Sequence, residues 1–200
     1  MIKGILLGAL GVVLLGLIAG YVIVSKGWLP ANADSKPPAI EKWIAGKSLQ
    51  AALEREASPD PNPLPKNDSN LLAGIKIYAA NCLICHGASD GMPSNIAKGL
   101  YQRAPQLAKH GVEDDPEGET YWVVEHGIRM TGMPSFGAGL TKDQIWQVTM
   151  FLKNMDALPS RADKAWKALA SAASSPVSSA SPHEEDDHDH DHPHHSRAGQ

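Results

Sequence analysis

Hydrophobic positions are spread unevenly along the chain, and the longest apolar stretch lies near its amino terminus. Residues 4–24 form a run of 21 positions with neither a charge nor a proline. A helix rises 1.5 Å per residue, so such a run reaches about 30 Å and is long enough to cross the hydrocarbon core of a bilayer. The pattern therefore predicts a transmembrane anchor over residues 1–28.

A cleaved signal peptide is the alternative interpretation of this segment. Ala31-Asn32-Ala33 resembles a small-residue cleavage site. The apolar run is longer than the core of about 7 to 15 residues that is usual in signal peptides. In addition, Lys26 and Trp28 lie between the run and the small residues. These two features favour an anchor that is retained.

Residues 29–66 are predicted to be a proline-rich linker that contains one short helix. Seven prolines lie in it, with a proline-free island at residues 39–57. The spacing of apolar positions in the island indicates an amphipathic helix; these positions are Ile40, Trp43, Ile44, Leu49 and Leu53. Its apolar stripe could pack on the following domain or lie on the bilayer surface, and packing is the simpler use. The prolines of residues 59–65 predict a stiff, extended spacer.

Start and stop signals predict three helices in a domain at residues 67–159. They are a helix capped by Asp68 or Ser69 that continues to Cys82, a helix over residues 117–126, and a helix capped by Thr141 that ends before Leu158-Pro159. No segment alternates between apolar and polar positions as a strand would. The domain is therefore predicted to be all-α, with one more short helix near residues 162–172.

The net charge of −4 comes from a charged tail. Residues 183–200 sum to −5 and leave +1 for residues 1–182. A nearly neutral body has no electrostatic footprint for nucleic acid, so that class of partner is excluded. Residues 160–200 are predicted to be a low-complexity tail, in which residues 183–195 hold six of the nine histidines. Alternating imidazoles and carboxylates could bind a divalent metal such as zinc, nickel or copper, or form a disordered, solvated tail.

The most specific motif of the chain is Cys82-Leu83-Ile84-Cys85-His86. C-x-x-C-H is the attachment sequence of c-type haem, in which both thiols add to the porphyrin and the histidine reaches the iron. A thioredoxin-like pair would accompany a βαβ pattern, and a zinc site would need a second ligand pair. A disulfide between the two cysteines would leave the rest of the pattern unexplained. The motif therefore predicts one covalently attached haem.

A second axial ligand is expected further along the chain, and Met133 is the candidate. It lies 47 positions after His86 in Thr131-Gly132-Met133-Pro134, a loop before the last helix. The rivals are Met92, which lies only six positions after His86, and Met130, which is more simply an apolar packing residue. His126 would instead give iron ligated by two histidines.

Residues 71–158 resemble the class I c-type cytochromes, and the anchored whole resembles a membrane-bound monohaem bacterial member. The matching positions are Gly74 and Tyr78 on the first helix of the domain, Val148 and Phe151 on the last, the segment Arg103–Leu107, and the loop from Gly127 to Pro134. In the family, a proline carbonyl of that segment accepts the Nδ1 proton of the proximal histidine. The resemblance thus implies that Pro105 pairs with His86.

The resemblance and the ligand set together predict an electron carrier. Ligation by histidine and methionine leaves no open position for a substrate, and no catalytic constellation is present in the sequence. The chain is expected to carry single electrons between redox proteins, such as a dehydrogenase and a terminal oxidase, in the periplasm at a bacterial inner membrane. A haem-based gas or redox sensor, or a subunit of a larger oxidoreductase complex, is the alternative. Arg129 and Trp122 are candidates for hydrogen bonds to a haem propionate, and a solvent-exposed role is an equal alternative for Arg129.

Overall fold

The computed structural model describes residues 2–173, and its regular elements are all helices. They are α1 (Ile2–Ser25), α2 (Ala39–Glu56), α3 (Asp68–Asn81), α4 (Leu83–His86), α5 (Asn95–Gly99), α6 (Glu117–His126), α7 (Lys142–Lys153) and α8 (Ser160–Ala173). No strand occurs between residues 2 and 173, and the all-α prediction is confirmed. The predicted low-complexity tail spans residues 160–200, and its part from residue 174 onward, which holds the predicted metal-binding histidines, lies outside the described residues.

The first helix, α1, has the properties of a membrane span. It has 24 residues and a mean hydropathy of 2.5, and none of its side chains is buried against the rest of the protein. Within residues 2–173 it is the one helix that is long and apolar enough to cross a bilayer.

The core is built around the contact between α3 and α7. Gly74 lets the helices approach closely, because a Cβ there would lie 2.9 Å from the Cβ of Phe151 and closer still to the carbonyl of Gln147. Tyr78 and Phe151 meet edge to face with ring centroids 5.4 Å apart. Trp166 of α8 completes this aromatic cluster, with centroids 5.3 Å from Tyr78 and 5.2 Å from Phe151. The packed body therefore continues past residue 159, where the sequence pattern ends the domain.

The helix starts follow from side-chain caps. Thr141 caps α7 as predicted and forms a reciprocal capping box with Gln144. At α3 the predicted cap, Asp68 or Ser69, is wrong by one or two positions. Asn67 takes the cap position, with an extended backbone and a side-chain oxygen that accepts a hydrogen bond from the N–H of Asn70. Asp68 instead lies in the first turn, where its negative charge suits the positive end of the helix.

The proline-rich segment is fastened to the domain, whereas the sequence predicts a spacer. The backbone N–H of Asn62 donates to the Glu117 carboxylate at 2.8 Å. Its side-chain amide donates to the carbonyl of Trp146 at 2.9 Å. These two bonds join residues 59–65 to the start of α6 and to the middle of α7.

Helix α2 is present as predicted, but its apolar stripe is divided between two environments. Leu53 is buried, whereas Ile40, Trp43 and Ile44 are exposed. The expectation that this stripe packs on the domain is therefore confirmed for Leu53 and wrong for Trp43 within the described chain. Periodicity shows that a helix has an apolar stripe, but not which part of that stripe is covered.

Candidate haem site

One apolar cleft of about 290 Å³ brings the sequence-predicted site residues together. Cys82, Cys85, His86, Pro105 and Met133 all line it. The cleft also receives side chains from α3, α6 and α7, so the α3–α7 core forms part of its floor. Since Met133 is 47 positions from His86, the fold rather than local sequence makes them neighbours of one cavity.

The cysteines lie where α3 passes into the short helix α4. The N–H of Cys82 donates to the carbonyl of Tyr78 at 2.8 Å and so ends α3. The carbonyl of Cys82 in turn accepts a hydrogen bond from the N–H of His86 at 2.9 Å, which closes the single turn of α4. The buried Tyr78 hydroxyl donates to the carbonyl of Gly87 at 2.7 Å. The core helix thereby fixes both ends of the C-x-x-C-H turn.

The His86 ring is held by the backbone of the loop that carries Pro105. Its Nδ1 lies 2.9 Å from the carbonyl oxygen of Pro105, and the His86 carbonyl accepts a hydrogen bond from the N–H of Leu107 at 3.2 Å. A carbonyl can only accept, so Nδ1 carries the proton and Nε2 keeps its lone pair. Burial lowers the pKa of His86, and the Pro105 bond partly opposes this shift. The neutral imidazole with a free Nε2 is the form that binds a metal.

The electrostatics of the thiols disfavour a redox-active dithiol. Burial raises the pKa of Cys82 to about 12, and the neighbouring Cys85 adds to the shift. Cysteines of thioredoxin-like motifs have lowered pKa values and react as thiolates. Both thiols of this motif are free, and no cluster of three metal-ligating side chains occurs in the described part of the chain.

The loop that carries Met133 is tied down on both sides of that residue. The N–H of Met133 donates to the Thr131 hydroxyl at 3.0 Å, and its carbonyl accepts from the N–H of Ile128 at 3.1 Å. Gly127 ends α6 with a φ of +69°, and a Cβ there would lie 2.6 to 2.7 Å from backbone atoms of residues 133–135. The end of α6 thus positions Met133 by direct backbone contact.

Comparison with known proteins shows which family this site is similar to. Residues 69–152 match the sequence model of the family described as cytochrome c oxidase, cbb3-type, subunit III. The chain is 26% identical over 164 residues to the cbb3-type cytochrome c oxidase subunit FixP of Rhizobium meliloti (strain 1021). The alignment covers 71% of this chain and 54% of FixP, so the chain spans about half the length of this curated relative. No solved structure matches at a significant level.

The family match contains both the C-x-x-C-H turn and the Met133 loop, and α1 precedes it. This chain therefore contains a region that matches a c-type cytochrome domain, preceded by an apolar helix that has the length of a membrane anchor. Its cofactor is covalently bound haem c, as in the matched family.

The three other candidates for the second iron ligand lie outside the cleft. Met130 is 90% exposed and has a φ of +60°, so the expectation that it packs is wrong. Met92 is exposed as well. His126 stacks on Trp122, and its Nδ1 lies 3.1 Å from the Trp122 carbonyl. None of these three residues lines the cleft, whereas Met133 does.

Two further features of the cleft suit a group with polar edges. Thr120 lines the cleft, and its buried hydroxyl has no hydrogen-bond partner. A buried polar atom without a partner is costly, and a group that fills the cleft could supply one. Arg103 also lines the cleft and is the one Lys or Arg residue to do so within residues 2–173.

Some contributors to the cleft cannot be read from the sequence. The expected propionate ligands, Arg129 and Trp122, do not line it, whereas Arg103 does. The position of Arg103 in the segment before Pro105 was the available signal. Leu53 of α2 also lines the cleft. It lies outside residues 67–159, and no local pattern links it to the haem motif.

Proposed function

We propose that this cytochrome is a membrane-anchored one-electron carrier with one haem c. In this proposal Cys82 and Cys85 attach the haem, and His86 and Met133 are the axial ligands of its iron. The observation that carries the proposal is that these four residues line one apolar cleft. When bound, the haem supplies a ferric–ferrous couple that exchanges one electron.

The protein groups each have a role in this proposal. The Pro105 carbonyl keeps the proton of His86 on Nδ1 and so directs Nε2 to the iron. The bonds from Met133 to Thr131 and Ile128 hold the second ligand in place. A neutral thioether and apolar walls favour the ferrous state, so the potential is higher than with two histidines. If His86 and Met133 both ligate the iron, no position would remain for a substrate.

We also propose redox partners and an orientation in the membrane. FixP and the matched family are both named for cbb3-type oxidases. This likeness supports electron exchange with a membrane-bound terminal oxidase or dehydrogenase, as a donor or as a subunit. Attachment of haem c in the periplasm is a property of the family, and it supports a bacterial inner-membrane protein whose haem domain faces that compartment.

Optical spectroscopy of the purified, haem-loaded protein tests the ligand set and the function together. We expect a low-spin c-haem spectrum in both oxidation states and a thioether-to-iron charge-transfer band in the ferric form. Carbon monoxide should bind the reduced protein slowly, because Met133 must first leave. A high-spin spectrum, or rapid carbon monoxide binding as in a gas sensor, would contradict the proposal.

The partner and the orientation have their own tests. Extraction from membranes in a gentle detergent should co-purify an oxidase or dehydrogenase; recovery of the cytochrome alone after mild crosslinking would argue against a stable complex. Protease added outside spheroplasts should cleave the haem domain. Full protection of the domain would place it on the cytoplasmic side.

A further inference from the structure

Helix α2 is fixed to the haem domain through one of its faces. The Glu41 carboxylate accepts hydrogen bonds from the Tyr101 hydroxyl at 2.8 Å and from the Gln102 side-chain amide at 3.0 Å. Three turns further on, Leu53 is buried and lines the haem cleft. The two contacts lie near opposite ends of α2, so its rotation about its own axis is determined.

The other face of α2 carries an apolar patch that nothing in residues 2–173 covers. We define the membrane patch as Ile40, Trp43 and Ile44, all of which are exposed. Positions i, i+3 and i+4 share one face of a helix, so the three side chains form a continuous surface. Single exposed apolar residues are ordinary, but a contiguous apolar patch on a helix marks an interaction surface.

The position of the patch in the chain indicates what covers it. It lies at the amino-terminal end of α2, next in sequence to the membrane span α1. Residues 26–38 join the two helices, and at about 3.5 Å per residue they reach at most about 45 Å. Trp28 and Leu29 in this connection are also exposed, and tryptophan is enriched at membrane interfaces.

The charges around the patch favour the same surface. Lys36 and Lys47 flank it in sequence, and both are exposed. The nearest acid, Glu41, accepts its two hydrogen bonds from the haem domain. A basic rim around an apolar helix face suits an interface of anionic lipid headgroups.

We propose that the membrane patch lies in the headgroup region of the leaflet on the haem-domain side of α1. Helix α2 is then sandwiched between the bilayer and the haem cleft. Because a helix with its side chains is about 10 to 12 Å thick, the cleft is held roughly one helix diameter from the membrane. The side of the cleft covered by α2 is closed to soluble partners. The proposal does not depend on which residues ligate the iron.

Lipid-specific fluorescence quenching of the full-length, haem-loaded protein in nanodiscs tests this. Since haem attachment consumes both native cysteines, the variant Ile44→Cys can be labelled with an environment-sensitive fluorophore. The nanodiscs contain phosphatidylcholine with phosphatidylglycerol, with or without lipid that carries a nitroxide near the headgroup. We expect the nitroxide lipid to quench the label at position 44 several-fold more strongly than labels at the control positions.

Two control variants distinguish contact of the membrane patch with lipid from mere closeness of α2 to the bilayer. Lys42→Cys has the same tether to α1 but lies about 160° around the helix from Ile44 at 3.6 residues per turn. Ile96→Cys replaces an isoleucine of similar exposure, 52% against 55%, outside α2. An unchanged haem spectrum confirms that each labelled variant is folded. The haem quenches each label equally with and without nitroxide lipid. The ratio of the two emission intensities therefore reports only the quenching by the lipid.

The outcomes are distinct. Strong quenching at position 44 with weak quenching at 42 and 96 supports the proposal. Equal quenching at 44 and 42 would mean that α2 is only tethered near the bilayer, and overturns it. No quenching at 44 also overturns it, because a second copy or a partner protein on the patch would shield the label from lipid.

Discussion

Three methionines were candidates for the second ligand, and their surroundings lead to opposite predictions for the same substitution. Met133 lines the cleft, whereas Met92 and Met130 are exposed. Met133→Leu should abolish the charge-transfer band and lower the midpoint potential, because leucine has no ligand atom. Met92→Leu and Met130→Leu are the matched controls and should keep the band. If either control lost the band while Met133→Leu kept it, the assignment of Met133 as the ligand would be wrong.

Gly127 gives a second prediction at the residue scale. Gly127→Ala should lower the free energy of unfolding by about 1 to 3 kcal/mol, because alanine is strained at positive φ. It should also weaken the charge-transfer band, since the added Cβ meets the backbone of residues 133–135. Denaturant titration measures the first effect and absorbance the second.

Gly139→Ala is the control for this prediction. Gly139 has open space around its Cα and no positive φ, so this variant should stay within about 0.5 kcal/mol of the parent. Equal stability of the two variants would show that the contact of Gly127 with the Met133 loop is unimportant.

At the scale of single residues, the chemical role of a side chain was easier to predict than its burial. Cys82, Cys85 and His86 stand out because their spacing carries the haem motif. Whether Met130 or Trp43 is covered depends on distant parts of the chain. Arg103 and Arg129 are both basic residues near a family motif, and only the fold distinguishes the one that lines the cleft.

At the scale of elements, helix bounds could be predicted where caps and periodicity agree. Helix α6 begins and ends at the predicted residues, and α7 follows its predicted cap. Helices α4 and α5 have four and five residues, too few for a periodic pattern. The start of α3 was misplaced because Asn67, Asp68 and Ser69 are all good caps, and backbone geometry chooses among them.

Replacing a glycine by alanine should change the free energy of unfolding in opposite directions at Gly74, in the α3–α7 contact, and at Gly46, outside it. Gly74→Ala should destabilise the protein by about 1 to 3 kcal/mol, because the methyl group overpacks against the Gln147 carbonyl. Gly46→Ala in α2 meets nothing within 4 Å and should stabilise it by about 0.5 to 1 kcal/mol. Chemical denaturation of the haem-loaded protein measures both. A stabilising Gly74→Ala would mean that the helices do not approach so closely.

At the scale of the whole molecule, the segments before the haem domain are not a passive linker. Asn62 fastens the proline-rich segment to α6 and α7, and Leu53 brings α2 to the haem cleft. The contacts of Asn62 could not be predicted, because they join residues far apart in sequence. Packing of the α2 stripe, which includes Leu53, on the following domain was one of the two uses that the sequence predicted, but not its position at the cleft. The all-α class and the order of the main helices could be predicted, since they depend on local patterns.

The measurement that tests the central claim most directly is a redox titration of the intact cytochrome in membranes, followed by c-haem absorbance, with and without a candidate terminal oxidase. A one-electron carrier should titrate as one reversible wave with a slope of about 59 mV per tenfold change in the ratio of oxidised to reduced protein. Added oxidase should then oxidise the reduced protein in air. An irreversible or multi-wave titration, or a reduced haem that oxygen oxidises at the same rate without the oxidase, would contradict the claim.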